Sequence, residues 1–505
     1  MKSCDLQIQL IKNEDNGIAM TSKNDKYIHM KLNKILISAL TVGVIAFTTN
    51  SCRKIEEDGE VITQGGTGTG TGTTENLILT GKITSNLTLK ANNTYKLRGL
   101  VYVTNGATLT IEPGTKIVGE ADKNGGLIIT RGSKIMAEGT VNNPIIFTSE
   151  KPVPKRGDWA GVVLLGAAPT NSSYNGQQGI GEIEGGINNA AGDGLYGGTN
   201  AADNSGVLKY VRIEYAGYAF LPDKEINGLT FGGVGSGTTV DYVQVSYAND
   251  DSFEWFGGTV NCTHLIAYKG LDDDFDTDNG FSGKVQFGIA VRDPLVADVS
   301  GSNAFESDND ANGSALTPQT SAVFSNMTII GPIQSTATST NAANVNILFQ
   351  NGAQIRRNSA MSLFNSLIMG YPLAGLFVDA TKGTATDANI TSGKLVFQNN
   401  IIAGCPVPLK YGAAATPTGF NLAALQTYFD ANNNSILAFG SDAKITGPWN
   451  PAGTTPNFSP AAGSPLLTGG VFTNPLLAGF TPVTYRGAVK DANDFWYASW
   501  TNFNL

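Results

Sequence analysis

The sequence predicts an all-β fold: a single-stranded right-handed parallel β-helix (solenoid) that ends in an irregular aromatic- and Pro-rich C-terminal cap. Glycine accounts for 61 of the 505 residues, well above the usual ~7%, which indicates many corners. Charged residues make up only 15% of the chain, against the usual ~25%. Short β-favouring runs also recur every 21–26 residues, or every 30–40 with insertions, which is typical of a solenoid.

The repeats are similar enough to align successive coils. Asn105-Gly-Ala-Thr-Leu-Thr-Ile returns as Arg131-Gly-Ser-Lys-Ile-Met-Ala, and Tyr210-Val-Arg-Ile-Glu-Tyr-Ala is echoed by Tyr242-Val-Gln-Val-Ser-Tyr-Ala. Apolar residues alternate within each unit, and Gly, Asn or Asp residues mark the corners because they tolerate left-handed backbone geometry. The crossover rule makes the helix right-handed. A β-propeller is the rival, but it needs ~40–50 residues per blade, and we find no blade signature.

The first 77 residues predict an exported, lipid-anchored protein. Lysines after Met30, an apolar run at 35–47 and small residues before Cys52 are typical of a secretory signal peptide. The apolar run is shorter than the ~20 residues of a membrane span. The position of Cys52 resembles a bacterial lipoprotein signal, which implies lipidation of this residue. A non-lipidated signal peptide or a short anchor are the alternatives.

We therefore expect residues 1–29 to be a non-native extension, 30–51 the lipoprotein signal peptide and 52–77 a flexible acidic and Gly/Thr-rich tether. The acidic triplet at 56–58 resembles the export signal of Bacteroidetes surface lipoproteins. The expected location is the outer membrane, held through the lipid on Cys52 and displayed at the cell surface. A net charge of −9 excludes a nucleic-acid binder, which needs a basic surface.

The β-helix is expected over 78–410, with a long insertion at 168–206, and a capping region over 411–505. An insertion of this length is typical of a functional or a disordered loop. Residues 421–431 predict one short amphipathic helix. The Pro-rich stretch 451–482 and the aromatic residues from Phe495 onward are expected to cover the open end of the solenoid.

Few residues outside the acidic segment suggest a catalytic, metal-binding or disulfide-forming role. Cys262 and Cys405 lie several coils apart, so we expect no disulfide between them. His264 is expected to lie on a solenoid face, because one His cannot build a zinc site and no Gly-x-Ser-x-Gly motif accompanies it. Arg356 and Arg357 are expected to be a surface pair. No organic cofactor is expected.

Acidic residues concentrate in one segment and align there. Residues 241–310 hold 14 acidic residues but only Lys269, Lys284 and Arg292, so this segment carries a net charge of −11. Asp250-Asp-Ser-Phe-Glu aligns with Asp272-Asp-Asp-Phe-Asp, whose last residues align in turn with Phe305-Glu-Ser-Asp. Aligned positions in a β-helix stack ~4.8 Å apart. This predicts a Phe column (Phe253, Phe275, Phe305), a carboxylate column (Glu254, Asp276, Glu306) and a further pair, Asp278 with Asp308.

Stacked carboxylates repel by roughly 3–4 kcal/mol per pair at an effective dielectric of 20, so three interpretations stay open. The acids are solvated on exposed corners, they bind Ca²⁺, or two of them form a catalytic pair. The candidate Ca²⁺ ligands are Asp250, Asp251, Glu254, Asp272, Asp273, Asp274, Asp276, Asp278, Glu306 and Asp308. The catalytic candidates are Asp251, Glu254, Asp273 and Asp276. Trp255 and Phe256 are candidates for stacking on a sugar ring, with packing at a coil corner as the alternative.

Four motifs carry a family resemblance: Ile111-Glu-Pro-Gly-Thr, Gly157-Asp-Trp-Ala-Gly, Asp250-Asp-Ser-Phe-Glu-Trp-Phe-Gly-Gly and Thr484-Tyr-Arg-Gly-Ala. They resemble an uncharacterised family of Bacteroidetes cell-surface lipoproteins with a pectin-lyase-like right-handed parallel β-helix. The resemblance covers 78–505 and implies the fold without an activity. The Gly-His-Gly and Arg-Ile-Lys elements of β-helix polygalacturonases are absent. β-helix pectate lyases pair Ca²⁺ with an Arg or Lys base, and the acidic segment holds only three basic residues.

Two functions therefore remain. The first is a binding or structural module on the cell surface, glycan-binding and calcium-stabilised. The alternative is a carbohydrate-active enzyme, a polysaccharide hydrolase or lyase that uses the stacked carboxylates of 250–310. The sequence alone does not establish catalysis.

Overall fold

The computed structural model describes residues 62–63, 76–221, 224–334, 342–449 and 455–505. The predicted signal peptide, Cys52 and most of the predicted tether lie outside these residues. Within them, no helix is long and apolar enough to cross a membrane.

The strands confirm the predicted parallel β-helix, because 27 of them join one sheet system in which all pairings but one are parallel. In chain order the strands are β1 Ile62–Thr63, β2 Asn76–Ile83, β3 Leu87–Leu89, β4 Thr94–Val103, β5 Thr108–Ile111, β6 Lys116–Gly119, β7 Gly126–Ile129, β8 Lys134–Glu138, β9 Ile145–Ser149, β10 Val162–Leu165, β11 Ser173–Tyr174, β12 Gln177–Gln178, β13 Gly181–Glu182, β14 Leu195–Tyr196, β15 Gly206–Glu214, β16 Ala219–Leu221, β17 Lys224–Glu225, β18 Leu229–Gly232, β19 Thr239–Ser246, β20 Phe253–Phe256, β21 Asn261–Tyr268, β22 Phe275–Asp278, β23 Lys284–Val291, β24 Phe305–Ser307, β25 Val323–Ile330, β26 Asn351–Ile355, β27 Ser362–Phe364, β28 Leu367–Met369, β29 Ala374–Asp379, β30 Phe397–Gln398, β31 Ile401–Ala403, β32 Leu409–Gly412 and β33 Ser435–Leu437. Among the described residues, two α-helices, α1 Asp387–Thr391 and α2 Leu422–Ala431, and four short 3₁₀ turns accompany the strands.

Each coil contributes strands to three faces. Pairing runs through β5, β8, β15, β19, β21, β23 and β25 on the first face, and the later parts of β15 to β25 continue around a corner to form the second face. The third face stacks β7, β10, β18, β20, β22, β24, β26 and β29. Because side chains alternate along a strand, every second residue points inward, and these residues form one continuous apolar core.

The corner between the first and second faces carries an unusual aromatic stack. Tyr210, Tyr242, His264 and Phe287 occupy it with φ between 49° and 62°, a left-handed conformation that bulky residues rarely adopt. Neighbouring rings lie nearly parallel, with centroids 4.5, 4.2 and 5.1 Å apart in that order. Offset aromatic pairs at such distances are favourable. His264 therefore packs within this solenoid corner, with its Nδ1 2.7 Å from an Asp241 carboxylate oxygen.

Helix α2 covers the last coils of the solenoid, which confirms the helix predicted at 421–431. The Asn421 side chain accepts a hydrogen bond from the Ala424 N–H at 3.0 Å and so caps the helix. Leu425 and Phe429 are buried in the main core, and the Phe429 ring stacks on Phe397 at 5.8 Å. The open end is thus closed mainly by a helix.

The prediction that the terminal aromatic residues cover the end of the solenoid is wrong. The terminal segment (residues 455–505) instead lies along the outside of the β-helix, where Asn502 and Gln244 exchange two hydrogen bonds of 2.8 Å. Trp500 meets the Tyr210 and Tyr242 rings edge-on at 5.9 and 6.0 Å. The terminal segment buries the apolar side of the corner stack. The repeats within the coils do not predict this contact, because the terminal segment lies outside them.

Cys262 and Cys405 are both free and buried, so neither thiol takes part in a disulfide within the described chain.

We predict that Trp500→Ala lowers the free energy of unfolding by about 3–5 kcal/mol, the usual cost of removing a fully buried large aromatic side chain. Phe495→Ala is the matched control because Phe495 is 49% exposed, and it should leave stability within ~0.5 kcal/mol of the wild type. Chemical denaturation of the full chain measures both. Equal effects of the two substitutions would contradict the packing of this segment on the corner stack.

Candidate functional site

The predicted Phe column exists on the third face. Phe253, Phe275 and Phe305 pair in register, and their ring centroids lie 5.7 and 5.4 Å apart. All three side chains are fully buried. Since side chains alternate along a strand, the residue after each Phe points to the outside.

The predicted carboxylate column therefore lies on the outer surface of the same strands. Glu254, Asp276 and Glu306 pair in register beside the Phe column. Thr230 precedes them on β18 and Gln354 follows them on β26. The column is thus three acids long and ends on a neutral residue at each side.

Asp308, Arg356 and Arg357 lie beside the carboxylate column. The prediction that the two arginines form a surface pair is corrected here, because both form ion pairs with the acids. Arg356 binds Asp308 through its Nε at 2.9 Å and also pairs with Glu306. Arg357 contacts the other Asp308 oxygen at 2.5 Å. Both arginines are partly buried against the acids, because β26 continues the register of β24. The sequence repeat does not show this, since Ala353 replaces the Phe that marks the earlier coils.

Asp251 and Asp273 have a structural role that the sequence analysis missed. The Asp273 backbone N–H donates to Asp251 Oδ1 at 2.8 Å, and the Asn303 N–H donates to Asp273 Oδ1. Asn351 N–H then donates to Asn303 Oδ1 at 3.0 Å. One side-chain oxygen per coil thus holds the backbone of the next coil, and Asn serves as well as Asp. The shared position of these four residues is the signal that could have revealed this ladder.

Asp274 is corrected as a candidate calcium ligand. Its carboxylate is fully buried and binds Arg292 at 2.9 Å. The Tyr371 hydroxyl also lies 3.5 Å from it. Burial raises the pKa of Asp274 to about 6, although Arg292 opposes the shift. The ion pair of Asp274 and Arg292 therefore lies in the protein interior.

Most of the other candidate ligands surround one cleft of about 360 Å³. Its carboxylates come from three successive coils of the third face, the adjoining loops and the insertion, and two arginines stand at one side. The charged residues that line it are Glu184, Asp250, Asp251, Glu254, Asp272, Asp276, Asp278, Asp298, Glu306, Asp308, Arg356 and Arg357. Asp273 lies just beneath the cleft and is 4% exposed.

Burial and mutual repulsion favour the protonated forms of these acids. Burial raises the pKa values of Asp251, Glu254 and Asp276 well above their ordinary range, and neighbouring carboxylates add to each shift. Burial, with Asp308 adding to it, raises the pKa of Asp278 to about 8. The pKa values of Asp272 and Glu306 also lie well above their usual range, mainly through burial.

Three groups of carboxylates are spaced as metal ligands would be. They are Asp250 with Asp251 and Asp272, Asp251 with Glu254 and Asp276, and Asp273 with Asp276 and Glu306, each with one ligand atom per residue within 4.8 Å of the others. Two oxygens bound to the same Ca²⁺ at 2.3–2.6 Å lie within about this distance. All these ligands are hard oxygens, and Asp276 Oδ1 is buried without a hydrogen-bond partner among the described residues. The donor set fits Ca²⁺.

Of the two aromatic candidates, only Phe256 reaches the cleft. Trp255 is fully buried and stacks between Phe231 and Phe281 at 5.5 and 5.4 Å. The predicted stacking of Trp255 on a sugar is therefore wrong, because strand alternation turns it inward with Phe253. Phe256 is 8% exposed and lines the cleft.

The insertion 168–206 is an ordered wall of the cleft, built from two small antiparallel sheets, β11 with β12 and β13 with β14. Ile183, Ile187 and Tyr196 pack into an apolar cluster on the outer side of the third face. Asn171 Nδ2 donates to the Asn309 carbonyl at 2.8 Å. These contacts place Glu184 at the cleft edge.

Comparison with known proteins supports the family at the level of the fold. Residues 81–445 match the sequence profile of the family described as "Pectate-lyase like beta helix domain". No curated protein and no solved structure gives a significant match. The matched region spans most of the chain and every strand that lines the cleft, so the chain belongs to the pectate-lyase-like β-helix domain family.

Proposed function

We propose that this protein is a binding module that holds a glycan in the acidic cleft through Ca²⁺. The observation that carries the proposal is the group formed by Asp251, Glu254 and Asp276. Their oxygens meet metal-ligand spacing, and none of the three forms an ion pair with a described Lys or Arg, whereas the two arginines of the cleft pair with Glu306 and Asp308.

A divalent cation offsets the repulsion that the β-helix register imposes. Protonation does so too, but only at a pH below the raised pKa values of the acids. Ca²⁺ accepts six to eight oxygen ligands in irregular geometry, which suits carboxylates contributed by different coils. The resident cation would also attract an anionic ligand that the bare cleft repels.

The family description points to an acidic polysaccharide such as pectate as the ligand. Its carboxylates complement a bound cation and the partly exposed Arg356 and Arg357. We also propose that the module is a Bacteroidetes-type outer-membrane lipoprotein, anchored at Cys52 and displayed on the tether of residues 52–77. The sequence features around Cys52 described above support this location.

We predict that Ca²⁺ raises the denaturation midpoint of the wild-type chain and that a chelator reverses the increase. At 100 times the dissociation constant, the gain is ~2.7 kcal/mol. Asp276→Asn should lose most of this gain because Asp276 belongs to two of the three carboxylate groups. Asp430→Asn, an exposed acid on α2, is the control. A Ca²⁺ effect that persists in Asp276→Asn would refute the site.

Binding of polygalacturonate tests the proposal that the ligand is an acidic polysaccharide. We expect the wild-type chain to bind immobilised polygalacturonate in Ca²⁺, to lose binding in a chelator, and to ignore a neutral glucan. Asp276→Asn should weaken this binding at least tenfold, whereas Asp430→Asn should not change it. Calorimetry or surface plasmon resonance measures both, and chelator-resistant binding would contradict the bridging cation.

Without divalent cations, we predict that stability falls as the pH rises from about 4 to 8. The unfolded carboxyls release protons near pH 4, whereas folded Asp278 holds its proton until its pKa of about 8. The folded state thus binds more protons in this range, so the free energy of unfolding decreases with pH. Asp278→Asn should flatten the decrease and Asp430→Asn should not. Stability that rises with pH in chelator would contradict the raised pKa values.

A carbohydrate-active enzyme is the second candidate, favoured by one observation. Glu254 and Asp276 are register neighbours with carboxylate oxygens within 4.8 Å, close to the ~5–5.5 Å between the carboxyl groups of retaining glycosidases. Asp273 is a weaker candidate because it holds the Asn303 N–H. Arg356 and Arg357 also line the cleft and supply the basic groups that a lyase would need.

One assay distinguishes the proposed binding module from the proposed enzyme. Polygalacturonate and a panel of other polysaccharides are incubated with the wild-type chain, and new reducing ends and unsaturated products are measured. If the carboxylates are catalytic, Glu254→Gln should lower turnover at least 100-fold, with Asp430→Asn unaffected. Binding without any product would assign the cleft to a binding module.

A further inference from the structure

We propose that the insertion 168–206 builds a second sugar-binding subsite beside the acidic cleft, so that the ligand is an extended oligosaccharide lying across both. This inference rests on the proposed glycan-binding function and adds a second contact region. The insertion was predicted only as a functional or disordered loop, and none of its residues belongs to a candidate metal group.

The second cleft has a volume of about 490 Å³. One wall is the insertion, with Asn171, Ser172, Ser173 and Tyr174, and the opposite wall is the loop after β24, with Asp310, Asn312 and Leu316. Glu184 and Phe256 line both this cleft and the acidic one. The two clefts are therefore adjoining compartments of one groove.

The insertion wall is fixed to the solenoid by several contacts. Thr170 Oγ1 donates to the Asn279 carbonyl at 2.8 Å, and the Tyr102 hydroxyl donates to the Ile187 carbonyl at 2.7 Å. Within the insertion itself, the Ser172 and Tyr196 hydroxyls lie 2.9 Å apart. A wall held in this way is preorganised, which reduces the entropy lost when a ligand binds.

The opposite wall is held just as firmly. Asp310 accepts hydrogen bonds from the Asn312 N–H at 2.9 Å and from the Ser314 N–H and hydroxyl at 2.9 and 2.7 Å. Asp310 is 8% exposed, and its carboxylate is occupied by hydrogen bonds within the loop. Glu182 and Glu184 also line this cleft, but neither they nor Asp310 belong to a group of carboxylates with metal-ligand spacing.

The lining of the second cleft suits uncharged parts of a sugar. Half-buried Tyr174 presents an aromatic ring with a polar hydroxyl, a combination that binds amphipathic groups. A pyranose has a face of C–H bonds that packs on such a ring and a rim of hydroxyls that amide and hydroxyl side chains can bind. Ser172, Ser173 and Asn312 supply those groups around Tyr174.

The test uses the full chain with oligogalacturonates of increasing length in Ca²⁺, measured by calorimetry. We expect wild-type affinity to rise with length until both clefts are filled. Tyr174→Ala should weaken binding of the long oligomers by about 2- to 12-fold, as the loss of one aromatic contact implies. It should leave short oligomers and Ca²⁺ unaffected. Tyr174→Phe should restore most of the affinity, and Tyr411→Ala, a half-buried tyrosine near α2, is the matched control.

The outcomes separate the two proposals. If affinity does not rise with length, or if Tyr174→Ala binds long oligomers like the wild type, the second subsite is wrong while binding in the acidic cleft stands. If Tyr174→Ala weakens short and long oligomers equally, Tyr174 does not define a separate subsite. If the wild type binds no oligomer in Ca²⁺, the proposed function fails and this inference fails with it.

Discussion

Parallel hydrogen bonding between successive coils is the constraint on which the rest of the molecule depends. It fixes each residue over its counterpart in the next coil, so the same register that stacks Phe253, Phe275 and Phe305 inside stacks carboxylates outside. The buried rings hold the strands in register, and a one-residue slip would turn the acids inward. The apolar packing inside the β-helix therefore offsets the repulsion between the carboxylates on its outer surface.

The repeating part of the structure could be predicted from the sequence because repetition encodes neighbours directly. The Phe and carboxylate columns follow from two short alignments, and both are present in the structure. Arg356 could not be placed this way, since 48 residues separate it from Asp308 and its coil lacks the marker Phe. The acids beside Trp255 leave its direction open between a sugar and the core, and strand alternation decides for the core.

Contacts outside the repeat were beyond sequence reasoning for a different reason. The insertion and the terminal segment bind to the solenoid through side-chain shapes and single hydrogen bonds, such as those of Asn171 with Asn309 and of Gln244 with Asn502. No periodicity in the sequence predicts such pairs. The candidate site depends on them, because the insertion forms one wall of the cleft and brings Glu184 to the acids.

The route of the terminal segment also bears on how the chain is made. Coils can form one after another as an N-terminal part of the chain emerges, because each needs only its predecessor. The aromatic corner at Tyr210 and Tyr242, however, is covered by Trp500, which is synthesised almost 300 residues later. Until the C-terminal segment packs onto the solenoid, those rings remain open to solvent. A chain truncated before Trp500 should consequently expose this aromatic corner to solvent.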